Sequence, residues 1–334
     1  MTPIKKCLIG DKKDLVPIWL MRQAGRYLPE FREIRKNNTD FVNLCLNSKL
    51  SKEITLQPIK RFGFDAAIIF SDILMIPYGL GQKVEFKKSF GPNLANLELS
   101  KLLDAEEEIF TENLSSIYKL LVELKKSEDL KNKDLIGFVG APWTLIVYMV
   151  NKISPKNGLK NNFFSDKESI NSLLKILDKF IKIHIKNQVN AGATIIQIFD
   201  SWSGLIKSDF DKYLYNPTVS LVDYTKNLGV PVICFPRGTT DYSQFCKIVN
   251  PSMINIDYDV DPKNLLKNID IPIQGGLHPE ALLTDKANLK KEVNKYLEIF
   301  KDHPYVFNLG HGILPETKIE IVEELVKIVR DFTK

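Results

Sequence analysis

The stretch SLLKILDKFIKIHIKNQVNAG (172–192), followed by TIIQIF (194–199) and DSWSG (200–204), shows the unit from which the chain is built. Its first part carries apolar residues at helical spacing and ends at Gly192, a residue typical of helix ends. Its second part is almost continuously apolar, like a strand buried on both faces of a parallel sheet. Its third part is polar and contains glycine. The stretch therefore predicts a helix, a buried strand and a loop, in that order.

The same unit recurs on both sides of this stretch. Further strand-like runs are DAAIIF (65–70), KVEF (83–86), LIGFVG (135–140), VPVICF (230–235), MINIDY (253–258), IPIQGG (271–276) and YVFNLG (305–310). KVEF is the weakest of these strands and is also compatible with a hairpin. Helical patterns lie between most of the runs, for example LKKEVNKYLEIFKDH (289–303), and a last helix is expected from about Glu316 to Asp331.

About seven βα repeats without a break in composition favour one barrel over two domains. We therefore predict an α/β fold with a single barrel domain that spans residues 1–334. Residues 1–62 contain no such unit and are predicted to form a short N-terminal extension. A helix is expected in it from about Pro29, because proline suits the first turn of a helix.

Polar and glycine-rich residues follow the predicted strands, at the end where parallel βα barrels carry their active sites. These segments are Ser71-Asp72, Ala141-Pro142-Trp143, Asp200-Ser201-Trp202-Ser203-Gly204, Pro236-Arg237-Gly238, His278-Pro279 and His311-Gly312. The architecture alone therefore points to an enzyme.

Composition limits the classes of function. With 44% hydrophobic and 26% charged residues the chain lies in the globular range, and no apolar run is long enough for a membrane span. The net charge is +5, but no dense basic run alternates with aromatic residues, so a nucleic-acid partner is not expected. The four scattered cysteines include no CxxC motif, which suits a reducing compartment and predicts no metal site. We expect a cytoplasmic enzyme that acts on a small molecule.

The segment PIWLMRQAGRYLPEFREIR (17–35) carries two arginines four residues apart, Arg22 and Arg26. Their guanidinium groups could share a helix face or converge from a loop that Gly25 opens. Guanidinium matches carboxylate bidentately, and backbone N–H groups nearby would add donors. On chemistry alone, an ion-pair cluster with Glu30 and Glu33 is the favoured interpretation.

The segment MRQAGRYLPEFR resembles the N-terminal signature of the uroporphyrinogen decarboxylase family, and GFVGAPWTLIVYM (137–149) resembles its second signature. IIFSDIL (68–74) and NLGHG (308–312) match further motifs in the expected order, so the similarity covers nearly the whole chain. The resemblance implies a distorted (β/α)8 TIM-type barrel, no cofactor and a homodimer. It also implies conversion of uroporphyrinogen III to coproporphyrinogen III with loss of four CO2, in porphyrin and heme biosynthesis.

This reaction needs no cofactor, because protonation of the pyrrole ring turns the substrate itself into an electron sink. The resemblance implies that Asp72 stabilises the resulting cation; from its position alone, a capping aspartate at a strand end is the alternative. Arg22 and Arg26 would bind substrate carboxylates. Arg22 could also assist the proton-donating step, although arginine is a poor acid in water, and trapped water or a substrate carboxyl are alternatives.

Further site residues come from the same resemblance. It implies that Tyr148 is catalytic and points into the cleft, that His311 binds substrate, that Phe138 and Phe199 form apolar walls, and that Ser201 donates to a carboxylate. The complete predicted binding set is Arg22, Gln23, Ala24, Gly25, Arg26, Asp72, Phe138, Tyr148, Phe199, Ser201 and His311. Without the resemblance, Tyr148 would read as a half-buried helix residue, Ser201 as a helix N-cap and His311 as structural. We expect Arg237 and His278 to be structural or to support other residues.

Three alternative functions compete with this interpretation. A zinc-dependent methyltransferase of the same superfamily, acting on a corrinoid or thiol, would need thiolate and imidazole ligands that converge on the metal. Cys234 lies in a strand-like run and no cysteine neighbours His311, which speaks against it. A non-catalytic tetrapyrrole-binding barrel would be favoured by loss of Asp72 or the arginines, which are all present. An RNA-binding barrel lacks its aromatic stacking motifs.

Overall fold

The computed structural model describes residues 1–10, 15–87, 91–156, 158–161 and 163–332. Seven parallel strands form one sheet in the order β1-β4-β5-β6-β7-β8-β9, and β2 and β3 form a separate antiparallel pair. The strands are β1 (Ala66–Ile68), β2 (Val84–Lys87), β3 (Gly91–Leu94), β4 (Asp134–Gly140), β5 (Ile195–Asp200), β6 (Val232–Pro236), β7 (Met253–Ile256), β8 (Ile273–Gly275) and β9 (Tyr305–Val306). The α/β fold and the parallel order confirm the predicted fold class.

The helices among the described residues are α1 (Pro3–Leu8), α2 (Pro29–Asn37), α3 (Phe41–Cys45), α4 (Ser48–Phe62), α5 (Met75–Gly79), α6 (Leu99–Leu103), α7 (Glu107–Asn113), α8 (Ser115–Lys125), α9 (Pro142–Asn151), α10 (Lys167–Ala191), α11 (Asn216–Asn227), α12 (Tyr242–Val249), α13 (Pro262–Leu265), α14 (Lys286–Ile299) and α15 (Ile319–Asp331). Single helical turns occur at Glu128–Leu130, Ser203–Leu205, Asp211–Tyr215 and Pro279–Leu283. Within the described ranges, none of the helices is long and apolar enough to cross a bilayer.

The KVEF run is not a barrel strand. It forms the hairpin strand β2, which pairs antiparallel with β3, Val84 opposite Leu94. Only Val84 and Leu94 are buried in this pair, whereas the barrel strand β4 is buried throughout. A strand with one buried face cannot take a place in a sheet that helices cover.

The eighth position of the barrel is occupied by Pro17–Trp19, which the sequence assigned to the N-terminal extension. Ile18 pairs in parallel with Phe307, whose N–H donates to the carbonyl of Pro17 at 2.7 Å. On its other side, the carbonyl of Ile18 accepts from the N–H of Asp65 at 2.9 Å, just before β1. The prediction that this segment lies outside the barrel was therefore wrong. Three residues that begin with a proline carry no periodicity that could identify a strand.

Side chains from four positions around the barrel form a buried polar network in its interior. Trp19 donates from Nε1 to Oε1 of Gln274 at 2.8 Å, and the Gln274 amide donates to Asn255 Oδ1 at 2.6 Å and to Gln197 Oε1 at 3.3 Å. All four side chains are fully buried, so each bond forms where an unpaired polar group is costly. The network therefore ties the Pro17–Trp19 segment to β5, β7 and β8.

Asp65 fastens the closing segment from outside the sheet. Its Oδ2 accepts the N–H of Ile18 at 2.7 Å and lies 2.9 Å from the guanidinium of Arg330 on α15, while its carbonyl accepts from Asp134 at 3.0 Å. The Asp65 side chain is only 9% exposed, so its partners are not readily replaced by water. One carboxylate therefore links the closing segment to the C-terminal helix.

Replacing Asp65 with alanine should lower the free energy of unfolding by about 2–4 kcal/mol, because it leaves the Ile18 N–H and the Arg330 charge without their buried partner. Urea unfolding followed by circular dichroism measures the change. Asp129→Ala is the matched control: Asp129 pairs with Lys60 at 3.4 Å between side chains that are 38% and 61% exposed, and should cost under about 1 kcal/mol. Equal effects of the two substitutions would contradict the role of Asp65.

Candidate active site

The loop after the closing segment is held on the end of the barrel by Gln23. This residue is fully buried; its Oε1 accepts the N–H of Leu20 at 3.0 Å and its Nε2 donates to the carbonyl of Ala66 in β1 at 2.9 Å. Its own carbonyl accepts from the Tyr27 hydroxyl. Gln23 is one of the residues predicted to bind substrate; its side chain lies under the loop, where it fixes the loop's shape.

Arg22 precedes Gln23 in a left-handed backbone conformation, with φ of 62°. Its side chain is exposed to solvent, but desolvation by the protein around it lowers the pKa of Arg22, with the charge of Asp72 opposing the shift. Gly312 packs against this side chain so closely that a Cβ there would lie 2.3 Å from Arg22 Cδ. Gly312 therefore confines a cationic side chain that remains open to solvent.

Arg22 and Arg26 are not engaged by the acidic residues nearby. Glu30, the ion-pair partner considered from the sequence, instead accepts two hydrogen bonds from Arg61, at 3.0 and 3.2 Å. In the described part of the chain, neither Arg22 nor Arg26 has a carboxylate within 4.0 Å. The N–H groups of Ala24 and Gly25 likewise donate no backbone hydrogen bond there. The loop thus presents cations and N–H donors that remain available to an anion.

Asp72 lies four residues beyond Ile68, the last residue of β1. Its Oδ1 accepts the N–H of Leu74 at 2.9 Å, which is the local turn that the capping interpretation predicted. Its Oδ2 has no hydrogen-bond partner among the described residues and is not among the atoms shielded from solvent. Burial raises the pKa of Asp72 to about 6, against the opposing effects of the Leu74 N–H and the charge of Arg22. One oxygen serves the turn and the other is free for a ligand.

Tyr148, on α9, belongs to the same cleft. Its side chain is half-buried, and burial raises its pKa, with the charge of Asp72 adding to this shift and the charge of Arg22 opposing it. The Trp202 ring meets the Tyr148 ring edge-on, with centroids 6.1 Å apart. The structure therefore brings Arg22, Asp72 and Tyr148 close enough for their charges to interact.

Ser201 is held in place through its neighbours. Asp200 at the end of β5 accepts from the Thr144 hydroxyl at 2.5 Å, and that hydroxyl accepts from the Trp202 N–H at 3.0 Å. Asp200 is buried, which raises its pKa to about 7. The hydroxyl of Ser201, half-buried between them, has no partner among the described residues, and Trp202 rather than Ser201 precedes the following helical turn. The N-cap interpretation of Ser201 is therefore wrong.

Aromatic rings line the barrel end on the side of β4 to β6. Phe138 and Phe199 meet edge-to-face with centroids 5.6 Å apart, and Phe199 meets Phe235 in the same way at 6.5 Å. Phe235 therefore adjoins Phe138 and Phe199, the pair for which the sequence predicted an apolar wall. The register of β5 and β6, which sets Phe199 opposite Phe235, is a long-range property that the sequence did not display.

His311 follows the last strand in a loop with close backbone contacts. A Cβ on Gly310 would lie 2.3 Å from the amide nitrogen of Tyr258, so this loop touches the loop after β7. Burial and the charges of Arg22 and Arg237 lower the pKa of His311 to about 3. The imidazole is therefore neutral near pH 7 and able to donate or accept one hydrogen bond.

Arg237 also reaches this region, whereas the sequence favoured a structural role for both Arg237 and His278. His278 does serve its own turn: its Nδ1 accepts the N–H of Glu280 at 3.1 Å, and its ring packs on Tyr258 with the centroids 4.1 Å apart and the planes tilted by 56°. Arg237 lies 3.5 Å from Asp257 and acts electrostatically on His311. The position of Arg237 at the carboxyl end of a barrel strand was the sequence feature that could have indicated a role in the site.

The assembled cleft holds free guanidinium groups, a carboxylate with a raised pKa, a phenol, a neutral imidazole and an aromatic wall. Such a site suits an apolar ring system that carries several carboxylates. In the described ranges, no three His, Cys, Asp or Glu side chains come together in a way that could hold a metal ion.

Comparison with known proteins agrees with this chemistry. The family model of uroporphyrinogen decarboxylase (URO-D) matches residues 1–332. The uroporphyrinogen decarboxylase of Rickettsia bellii (strain RML369-C) is 39% identical over 99% of this chain and 98% of its own length, and that of Orientia tsutsugamushi (strain Ikeda) is 38% identical over 99% of each. The uroporphyrinogen decarboxylase of Wolbachia pipientis wMel is 39% identical over 95% of this chain and 94% of its own.

A solved structure shares the fold at much lower identity. The methyltransferase from Methanosarcina mazei superposes with a TM-score of 0.77 over 98% of each chain, but at 16% sequence identity, which establishes a common architecture alone. The family assignment rests on the model match and on relatives that align over nearly their full length. The chain belongs to the uroporphyrinogen decarboxylase family.

Proposed function

We propose that this protein removes CO2 from the four acetate side chains of uroporphyrinogen III, which gives coproporphyrinogen III, in porphyrin and heme biosynthesis. The observation that carries the proposal is the free Oδ2 of Asp72, a carboxylate oxygen that lies in the same cleft as the unpaired cations Arg22 and Arg26. The substrate carries carboxylates on its rim and pyrrole N–H groups at its centre, which are the complements of these groups.

The first task of the site is to bind and orient the substrate. Arg22 and Arg26 bind acetate or propionate carboxylates, and the N–H groups of Ala24 and Gly25 add donors to the same anions. The Asp72 carboxylate accepts hydrogen bonds from pyrrole N–H groups. Charge-assisted bonds of this kind contribute roughly 1.5–3 kcal/mol each.

The chemical step uses the pyrrole ring as the electron sink. Protonation of the ring carbon next to nitrogen makes a cation, which the Asp72 carboxylate stabilises. The C–COO⁻ bond then breaks, CO2 leaves, and its electron pair neutralises the ring. A second proton reaches the exocyclic carbon, which becomes a methyl group, and the ring returns its first proton. We assign Arg22 the role of assisting protonation, with trapped water and a substrate carboxyl as the alternative donors.

The remaining residues shape the cleft. Tyr148 lies close enough to Asp72 and Arg22 to interact with their charges, and we assign it a catalytic role next to the reacting acetate. Ser201 and neutral His311 offer hydrogen bonds to side-chain carboxylates, while Phe138 and Phe199 pack against the macrocycle. Neutral donors of this type orient an anion without the desolvation cost of a further charge.

The zinc-dependent methyltransferase remains the alternative function, and strand register disfavours it. Cys234 lies in β6 with its thiol near Cys246 of α12, outside the sheet, and burial raises the pKa of the Cys234 thiol. Its neighbour Phe235 points to the opposite face, where it meets Phe199. The cleft therefore receives an aromatic ring from this strand, where a zinc site would need a thiolate.

The proposal also includes the organisation of the protein. We infer a single barrel domain that assembles as a homodimer in the cytoplasm, acts on uroporphyrinogen III without a cofactor, and uses no nucleic-acid or membrane partner. Family membership supports the homodimer and the cofactor-free reaction. Analytical ultracentrifugation tests the dimer directly.

The proposed function predicts stepwise loss of up to four CO2 when the chelator-treated protein is incubated anaerobically with uroporphyrinogen III.

Asp72→Asn keeps the shape and the hydrogen bond from Leu74 but removes the charge, so turnover should fall by about 10²–10³-fold. Liquid chromatography of the oxidised products measures the stepwise loss of CO2 by the wild type and the turnover of the variant. Because burial of the charged form is unfavourable, the variant should unfold at an equal or higher temperature. Activity that appears only with zinc and a methyl donor would favour the methyltransferase.

The pH dependence follows from the pKa of Asp72, which is raised to about 6. The charged form is required, so kcat/KM should fall with a slope of one proton below about pH 6. A carboxyl whose folded pKa lies above its ordinary value of 3.8 adds stability as the pH falls through this window, so unfolding cannot explain the loss. Thermal unfolding over the same pH range is the control. Constant kcat/KM down to pH 5 would refute the assignment.

The position of Arg22 depends on the absence of a side chain at Gly312. Gly312→Ala places a Cβ 2.3 Å from Arg22 Cδ, so the guanidinium must move, and kcat/KM should fall by about 10–100-fold with little change in the melting temperature. Gly192→Ala, which collides with Lys125 beyond the opposite end of the barrel, is the control and should lower stability but not kcat/KM. Similar kcat/KM in the wild type and Gly312→Ala would show that Arg22 is not required in this position.

A further inference from the structure

Arg237 is fixed by its backbone independently of its side chain. It lies directly after β6, where its N–H donates to the carbonyl of Asp200 at 3.1 Å. Its carbonyl accepts from the N–H of Gly204 at 3.1 Å and from the hydroxyl of Ser203 at 2.8 Å. A change of the side chain therefore leaves these links between the loops after β5 and β6 in place.

The guanidinium of Arg237 is oriented but not saturated. Its Nε lies 3.5 Å from Oδ2 of Asp257, and its Nη2 donates to the Tyr258 hydroxyl at 3.5 Å. The Nε atom is buried, yet its geometry to Asp257 is too poor for a hydrogen bond. The Arg237 side chain is 27% exposed and that of Asp257 only 5%. Among the residues that the structure describes, the five N–H donors of this guanidinium make one long hydrogen bond, which leaves its outer edge for a ligand.

A continuous chain of contacts places Arg237 on the cleft side of the His311 loop. Asp257 and Tyr258 hold the Arg237 guanidinium, Gly310 packs on the Tyr258 amide, and Gly312 packs on the Arg22 side chain. His311 lies between these two glycines. The charge of Arg237 also lowers the pKa of both His311 and Arg22, as expected for cations that face a common space.

We infer that Arg237 is a further substrate-binding residue, which binds a carboxylate of uroporphyrinogen on the β6 side of the cleft. This inference rests on the proposed function. The substrate carries four acetates and four propionates around its rim, whereas Arg22 and Arg26 both belong to one loop. Arg237 supplies a cation from a different strand, so it extends the electrostatic match to a second side of the ring.

The competing interpretation is that Arg237 only neutralises the buried charge of Asp257. The two roles separate in a double variant, because Arg237→Gln with Asp257→Asn removes both charges and leaves no unpaired carboxylate. Arg237→Gln alone should lower the melting temperature, and the second substitution should restore it. Only a binding role predicts that the defect toward substrate persists in the double variant.

The experiment compares wild type, both single variants and the double variant in anaerobic turnover of uroporphyrinogen III. We expect the double variant to raise KM about tenfold, with kcat changed less than about threefold and KM less sensitive to salt. The matched control is Lys286→Gln with Glu324→Gln, an ion pair at 3.1 Å between α14 and α15, which should leave KM unchanged.

Binding of uroporphyrin III, the oxidised and unreactive form of the substrate, provides a readout that does not require turnover. Its Kd, from protein fluorescence quenching, should rise about tenfold in the double variant, and that of coproporphyrin III, with fewer carboxylates, should rise less. Wild-type Kd and KM in the double variant would overturn the inference. Failure of the wild type to turn over uroporphyrinogen III would instead refute the proposed function, and the Kd comparison would still decide whether Arg237 binds carboxylates.

Discussion

The three-residue segment Pro17–Trp19, held between β9 and β1, is the constraint on which both the barrel and the site depend. Asp65 fixes it from one side through the Ile18 N–H, and Trp19 ties it to Gln274 inside the barrel. The residues that follow at once are those of the loop with Arg22 and Arg26. The contacts that fill the eighth position of the barrel therefore also deliver these cations to the end where the strand carboxyl termini meet. The stability of this closure and the geometry of the proposed anion site therefore depend on the same contacts.

The charges of the cleft are set by burial and by one another. Near pH 7 Asp72 is ionised although burial has raised its pKa to about 6, because Arg22 and the Leu74 N–H support the anion. His311 is neutral because it is buried beside two arginines. A protonated histidine there would bind carboxylates more strongly but would also repel the pyrrole cation. In the proposed reaction, the arginines supply positive charge to the substrate carboxylates, and the Asp72 carboxylate is kept for the position where positive charge develops.

Most strands could be predicted because a strand buried on both faces leaves a continuous apolar run, as in LIGFVG (135–140). Local patterns failed where contacts between distant residues decide the outcome. Pro17–Trp19 is too short to show a period, and KVEF (83–86) is apolar enough for a barrel strand but pairs only with β3. The resemblance placed Gln23 in the site. Its side-chain amide donates a hydrogen bond to the carbonyl of Ala66, 43 residues away, and holds the loop from below. The contacts of Arg237 with Asp257 were equally invisible in the sequence.

Fold alone cannot choose between a decarboxylase and a methyltransferase, since a methyltransferase shares this architecture with a TM-score of 0.77. The choice depends on which side chains the strands direct into the barrel. In β6 the neighbours Cys234 and Phe235 point to opposite faces, and the register with β5 sets Phe235 beside Phe199. A shift of one residue would exchange ring and thiol and turn an apolar wall into a possible metal ligand. The cleft therefore suits a macrocycle that supplies its own electron sink, because the strand that would bring a thiolate brings an aromatic ring.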